Sequence, residues 1–139
     1  VAAAGTATRP GALATTIGGN TIGALADRIF EIDGTLVIRN LRSGKPSSGD
    51  SDRLSATILL KAASETFGTN ARVENHYLLG ESVLPIGQTA AKYNKRIADC
   101  ETAIGDIAAG RYPAVTSDFR CPRCPYLFIC PSPDGLSLG

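Results

Sequence analysis

The sequence predicts an α/β domain that ends in a cysteine loop. Three observations carry that prediction. Two β-rich runs, Thr21 to Ile32 and Thr35 to Arg42, flank Asp33-Gly34. Asp-Gly between such runs is a strong hairpin signal, because both turn residues tolerate positive φ. Two helical apolar stripes follow, with a further β-rich stretch between them. Finally, Cys121, Cys124 and Cys130 stand at C-x2-C-x5-C spacing. A C-x2-C pair lets two thiolates converge on one metal, and the third can take another corner of the coordination shell.

Residues 1–19 are small and polar, with Pro10, Gly11, Gly18 and Gly19, and read as an irregular N-terminal segment. A two-residue Asp33-Gly34 loop then sets Phe30 opposite Val37, Ile29 opposite Ile38 and Asp27 opposite Asn40. Strict alternation puts Leu25, Asp27, Ile29 and Glu31 on one face with Leu36, Ile38, Asn40 and Arg42. The other face carries Arg28 opposite Arg39, a like-charge pair that calls for an acid or anion nearby.

Residues 43–51 are turn-rich. Asp52 reads as the N-cap of a helix whose stripe is Leu54, Ile58, Leu59 and Ala62, stopped by Gly68. A third strand is expected over about Arg72 to Leu79. Gly80-Glu81 turns it, and Ser82 to Ile86 return as a short edge strand that suits Pro85. The longest helix is expected from about Gln88 to Ala109, with Tyr93, Ile97, Cys100, Ile104 and Ile107 on one stripe and Gly110 as its stop. Residues 20–120 thus form the α/β core, and residues 121–139 the cysteine loop and tail.

At 139 residues the chain is long enough for one cored domain. It starts at Val1 and has no methionine, which reads as a fragment of a longer polypeptide. Lys plus Arg is 14 and Asp plus Glu is 13, a balance that can conceal a local basic stripe. No apolar run approaches the length of a membrane span, and the first residues lack the basic and apolar regions of a signal peptide. Four cysteines would allow two disulfides in a secreted protein. Three clustered at ligand spacing fit an intracellular metal site better.

Three stretches together resemble the RecB-like branch of the PD-(D/E)XK nuclease superfamily. Ile22-Gly-Ala-Leu-Ala-Asp27-Arg28-Ile-Phe-Glu31 resembles that family's first active-site strand, and Val37-Ile-Arg-Asn40-Leu-Arg42-Ser-Gly44-Lys45 resembles the second. Ile107-Ala-Ala-Gly110-Arg-Tyr112-Pro113, followed by the three cysteines, resembles the family's helix exit and iron–sulfur clasp. The resemblance implies a restriction-endonuclease-like mixed central sheet flanked by helices. It also implies DNA as partner, helicase or other domains elsewhere in the parent polypeptide, and a cytoplasmic, bacterial, nucleoid-associated setting with no membrane.

Carried over residue by residue, Asp27 matches the family's first metal-binding acid. Asn40 stands where the second acid is expected, and Arg42 where the lysine is expected. The downstream helical Gln-x-x-x-Tyr falls near Ser55 and Leu59 and is matched by neither. An amide brings no charge to Mg²⁺, and an arginine cannot act as a base. An Asp27–Arg42 ion pair could replace the metal. The site is therefore expected to be degenerate, with Mg²⁺ needed only if it is active. Glu31 lies about 13 Å along the strand from Asp27, too far to share one ion. Cys121, Cys124 and Cys130 are the implied ligands of a 4Fe-4S cluster or zinc, with the fourth ligand outside this chain. Cys100, on an apolar stripe, reads as a core thiol. Arg28, Arg39 and Lys45 are the candidate DNA contacts on the hairpin, and Lys92, Lys95 and Arg96 line the polar side of the long helix. His76 reads as an ordinary strand residue.

Three functions stand at this point: a catalytically degenerate nuclease-like domain serving DNA binding or structure, a working Mg²⁺-dependent exonuclease with a rearranged site, and a metal- or disulfide-clasped interaction domain unrelated to DNA.

Overall fold

A computed structural model describes residues 9–112, 115–126 and 129–130. Residues 1–8, Pro113, Ala114, Leu127, Phe128 and the tail from 131 lie outside the described residues, and with them the start of the N-terminal segment, Pro113 of the helix exit and the tail reading over 131–139. The chain divides into two compact units, residues 1–105 and 106–139.

The first unit is a five-stranded mixed sheet flanked by two helices. Strands β1 (Arg9–Ile17), β2 (Asn20–Ile32), β3 (Thr35–Arg42), β4 (Ala71–Tyr77) and β5 (Ser82–Pro85) lie side by side in chain order. All neighbours are antiparallel except β3 and β4, which are parallel. A parallel pair needs a long crossover, and helix α1 (Leu54–Phe67) supplies it. Helix α2 (Ala90–Ala108) follows β5.

The β2–β3 hairpin has the register the Asp-Gly turn predicts. Ile29 pairs with Ile38, Phe30 with Val37 and Arg28 with Arg39. Asp33 and Gly34 both take positive φ, 49° and 78°. Gly68 ends α1 at φ 72° and returns its N–H to the Ser64 carbonyl. Pro85 lies on an edge strand, where its missing N–H costs no ladder bond.

Two local readings are corrected. Residues 9–17, expected to be irregular, form β1 and turn into β2 through Gly18 and Gly19, both at positive φ. Its alternation of buried Leu13, Thr15 and Ile17 with exposed Ala12, Ala14 and Thr16 is that of a strand with one face covered, built from residues too small to stand out. Asp52 does not cap α1. The cap position belongs to Arg53, without a side-chain cap bond, and the Asp52 carboxylate meets Lys92 at 2.8 Å.

The core lies between the sheet and α1. Leu13, Ala24, Ala26, Ile29, Ile38 and Val73 from the sheet meet Ala56, Leu59, Ala62 and Ala63 from the helix. On the opposite face, Glu74 supplies the acid that the Arg28–Arg39 pair calls for. The Arg39 Nε–H donates to the Glu74 carboxylate at 2.6 Å, and its guanidinium lies 4.8 Å from the centre of the Phe30 ring. Along α2 only Cys100 of the apolar stripe is fully buried, and Ile107 is exposed. Burial raises the Cys100 thiol pKa, with a smaller contribution from Glu101, as befits an inert core thiol.

Ile38 has no exposed surface and sits where β2, β3, β4 and α1 converge. Truncating it to alanine removes buried methylenes and leaves a cavity. Ile38→Ala is expected to destabilise the chain by about 3 kcal/mol in chemical denaturation, and a loss well under about 1 kcal/mol would contradict this placement of the core.

Candidate functional site

A single irregularity in β2 shapes the site. Arg9 pairs with Ile29, but Gly11 pairs with Ala26, so β2 uses one more residue than β1 across this interval. That is a β-bulge at Asp27 and Arg28. Its effect appears in the burial pattern: Ala24 and Ala26 are buried before it and Ile29 after it, so the inward parity switches from even to odd. Leu25 and Asp27 are consequently off the core face that strict alternation gives them, and both are exposed.

The bulge also limits the hairpin. Paired residues run from Ile32–Thr35 only as far as Arg28–Arg39. The N–H of Leu41, past that point, donates instead to the Asp27 carboxylate at 2.7 Å. A side-chain oxygen thus takes the place of a ladder carbonyl, and the two strands part beside it.

A cleft of about 480 Å³ opens there, lined by Asp27, Asn40, Leu41, Arg42, Ser55 and Leu59 among others. The hairpin residues Asp27, Asn40 and Arg42 are therefore brought together, and both helical positions, Ser55 and Leu59, face them across the cleft. The expected Asp27–Arg42 ion pair is absent among the described residues. Arg42 is half-buried, and its Nε is sealed from solvent with no hydrogen-bond partner.

Behind the cleft lies a polar network that the sequence reading missed. Arg42 pairs with Tyr77 and Asn40 with Asn75 across β3 and β4. The Asn75 amide donates to the Tyr77 hydroxyl, which donates to Asp50 at 2.7 Å. Asp50 also accepts the Ser47 N–H at 3.0 Å and meets Arg53 at 3.1 Å. All three network residues are buried, and the Asn75 Oδ1 has no partner. The Tyr77 hydroxyl does most to hold the Asp50 carboxyl below its ordinary pKa. Burial works against it, and Ser47, Arg53 and Arg42 add to the lowering. Burial first, then Asp50, pushes the Tyr77 phenol up. The available signal was Asp50 itself, an acid inside a Ser-Gly loop able to fix its own turn.

No family model matches the chain, and no curated protein matches it. Among solved structures the chain is similar to SSO0001, at 14% identity and a TM-score of 0.45. The likeness covers 89% of this chain and 58% of SSO0001, so the chain spans less than two thirds of that protein's length. So distant a likeness transfers no residue roles.

The remaining candidates are scattered. Arg28 and Lys45 are exposed, whereas Arg39 is engaged by Glu74. Lys92 meets Asp52, and Lys95 and Arg96 meet Asp99. His76 is a half-buried strand residue. No helix is long and apolar enough to cross a membrane among the described residues.

In the second unit, Cys121 opens a short 3₁₀ turn and its sulfur accepts the Ser117 N–H at 3.1 Å. Cys124 N–H returns to the Cys121 carbonyl at 3.0 Å. Cys121, Cys124 and Cys130 are all free thiols. Their chemistry suits zinc or an iron–sulfur cluster. Among the described residues, however, no three His, Cys, Asp or Glu side chains converge as a metal site would need. Nor does the cleft fit Mg²⁺. It offers one carboxylate already bonded to an N–H, one neutral amide and a permanent cation.

Asp50 carries a pH signature. Its pKa is lowered on folding, so its contribution is fully present above the unfolded carboxylate pKa of about 3.9 and is lost as pH falls through the lower folded value. Asp50→Asn is expected to be less stable than the unaltered chain at neutral pH, with a gap that stays constant down to about pH 5 and closes at lower pH. Urea midpoints across that range check this, and a gap independent of pH would contradict the assignment.

Proposed function

We propose that the chain is a nuclease-like domain of the RecB-like PD-(D/E)XK type whose catalytic site has degenerated, and that it serves DNA binding within a longer repair or recombination protein of the helicase–nuclease kind. The observation that carries this reading is the cleft. Its three hairpin positions correspond to that family's acid, acid and lysine, and they hold Asp27, Asn40 and Arg42. The β2–β3 hairpin, the α1 crossover and the parallel β4 support the restriction-endonuclease-like reading of the sheet.

The substitutions remove the chemistry while keeping the place. Two-carboxylate sites hold a divalent ion that activates water and neutralises charge on the phosphate. With Asn40 and Arg42 the anionic pull on such an ion is roughly halved and then opposed, and no lysine lines the cleft to orient or deprotonate the water. The cysteine spacing supports a clasp holding an iron–sulfur cluster or zinc with a ligand supplied from outside this chain. That role is structural and independent of the cleft.

The expected outcome is DNA binding that weakens steeply with salt, and no cleavage of linear DNA in Mg²⁺. Gel analysis of end-labelled duplex and a salt titration of binding check the two halves. Mg²⁺-dependent cleavage that Asp27→Ala abolishes would establish an active nuclease with a rearranged site instead. Neither cleavage nor binding would favour an interaction domain unrelated to DNA.

A further inference from the structure

We propose that the cleft binds a phosphodiester group of DNA directly, with the Arg42 guanidinium in the charge-neutralising role that a metal ion would otherwise fill. This rests on the DNA-binding reading above and assigns that binding to particular atoms.

Arg42 is the reason. It is a half-buried cation with no ion-pair partner within the described residues, and its Nε is closed off from water. A partly desolvated charge without a counter-ion carries a cost, and an anion reaching the rest of its guanidinium from the cleft recovers part of it. Asp50, the acid whose field Arg42 feels, does not contact it. The Asp50 oxygens are already held by Tyr77, Ser47 and Arg53. A guanidinium offers a planar fork of donors, and a phosphodiester offers two unesterified oxygens that match it.

The cleft's other groups suit the same ligand. Asn40 carries an amide N–H₂ and Ser55 a hydroxyl, both able to donate to phosphate oxygens. Leu25, Leu41, Ile58 and Leu59 form an apolar wall that strengthens charged contacts beside it. The volume, about 480 Å³, admits one nucleotide-sized group.

Asp27 opposes an anion, and its weight must be compared with that of Arg42. Asp27 is exposed, so water screens its charge, and one of its oxygens accepts the Leu41 N–H. Arg42 is half-buried and lacks any such partner. The less solvated charge dominates the cleft, so its balance favours an anion of charge minus one.

Binding of a labelled DNA duplex, titrated with salt, tests this on the full chain. Affinity is expected to be the same in EDTA and in Mg²⁺. Arg42→Gln should weaken binding about tenfold and make the log–log salt dependence shallower by about 0.9, the loss of one phosphate contact. Two variants guard against a folding artefact. Ser55→Asp places an acid in the first turn of α1, where it supports the helix; binding should fall while the thermal midpoint does not. Asp27→Asn keeps an acceptor for Leu41 but removes the charge, and binding should tighten. If the unaltered chain binds DNA but Arg42→Gln and Ser55→Asp match it in affinity and slope, this inference fails and the DNA-binding reading survives. Binding that disappears in EDTA overturns the direct contact in favour of a metal-bridged one. A chain that binds no DNA overturns both.

Discussion

The bond from the Leu41 N–H to the Asp27 carboxylate governs the geometry around it. A two-stranded ladder normally continues until a turn or an end stops it. Here a side chain substitutes for the next carbonyl, and the ladder ends with its donor satisfied. The strands separate without leaving an orphaned N–H, and the space between them becomes the cleft. The bulge at Asp27 and Arg28 goes with this, because it takes Asp27 out of strict alternation, and its carboxylate meets the Leu41 N–H of β3.

From that point the assembly is two-layered in its polar contacts. The front holds Asp27, Asn40, Arg42 and Ser55, which water can reach to differing extents. The back holds Asp50, Tyr77 and Asn75, which it cannot. Arg42 belongs to both, lining the cleft while its charge reaches Asp50. The back layer ties the turn at residues 47–53 to the end of β4, and so fixes where α1 begins. The position of Ser55 at the cleft thus depends on a hydrogen bond made by Tyr77 one layer deeper.

Much of this arrangement was legible in the sequence, and the illegible part has a specific cause. Asp33-Gly34 fixed the pairing of Ile29 with Ile38, since only one register fits a two-residue loop. Gly68 marked the end of α1 because few other residues adopt its φ. The grouping of Asp27, Asn40 and Arg42 followed from the hairpin and survived, although the face assigned to Asp27 did not. The bulge that moved it exists only relative to β1. That strand went unrecognised because Ala, Thr and Gly give alternation without contrast in hydrophobicity. One missed strand therefore concealed the bulge, the end of the ladder and the loss of the expected ion pair. The Asp50 network was hidden differently, as its partner Tyr77 lies 27 residues away and only the fold brings the two together.

The parallel pairing of β3 with β4 has a consequence for how the chain reaches this state. β1, β2 and β3 are joined by two-residue turns, so their contacts close over short stretches of chain. β4 can join only after residues 43–70 have been looped back, a longer closure with a larger entropic cost. Non-local pairings of this kind set folding rates. The hairpin side of the cleft, with Asp27, Asn40 and Arg42, is encoded in the local part of the chain. Its helix wall and the buried network behind it depend on the longer closure. The cleft is thus completed only by the longest of these closures, and any state that lacks it holds the three residues without the helix wall that encloses Arg42.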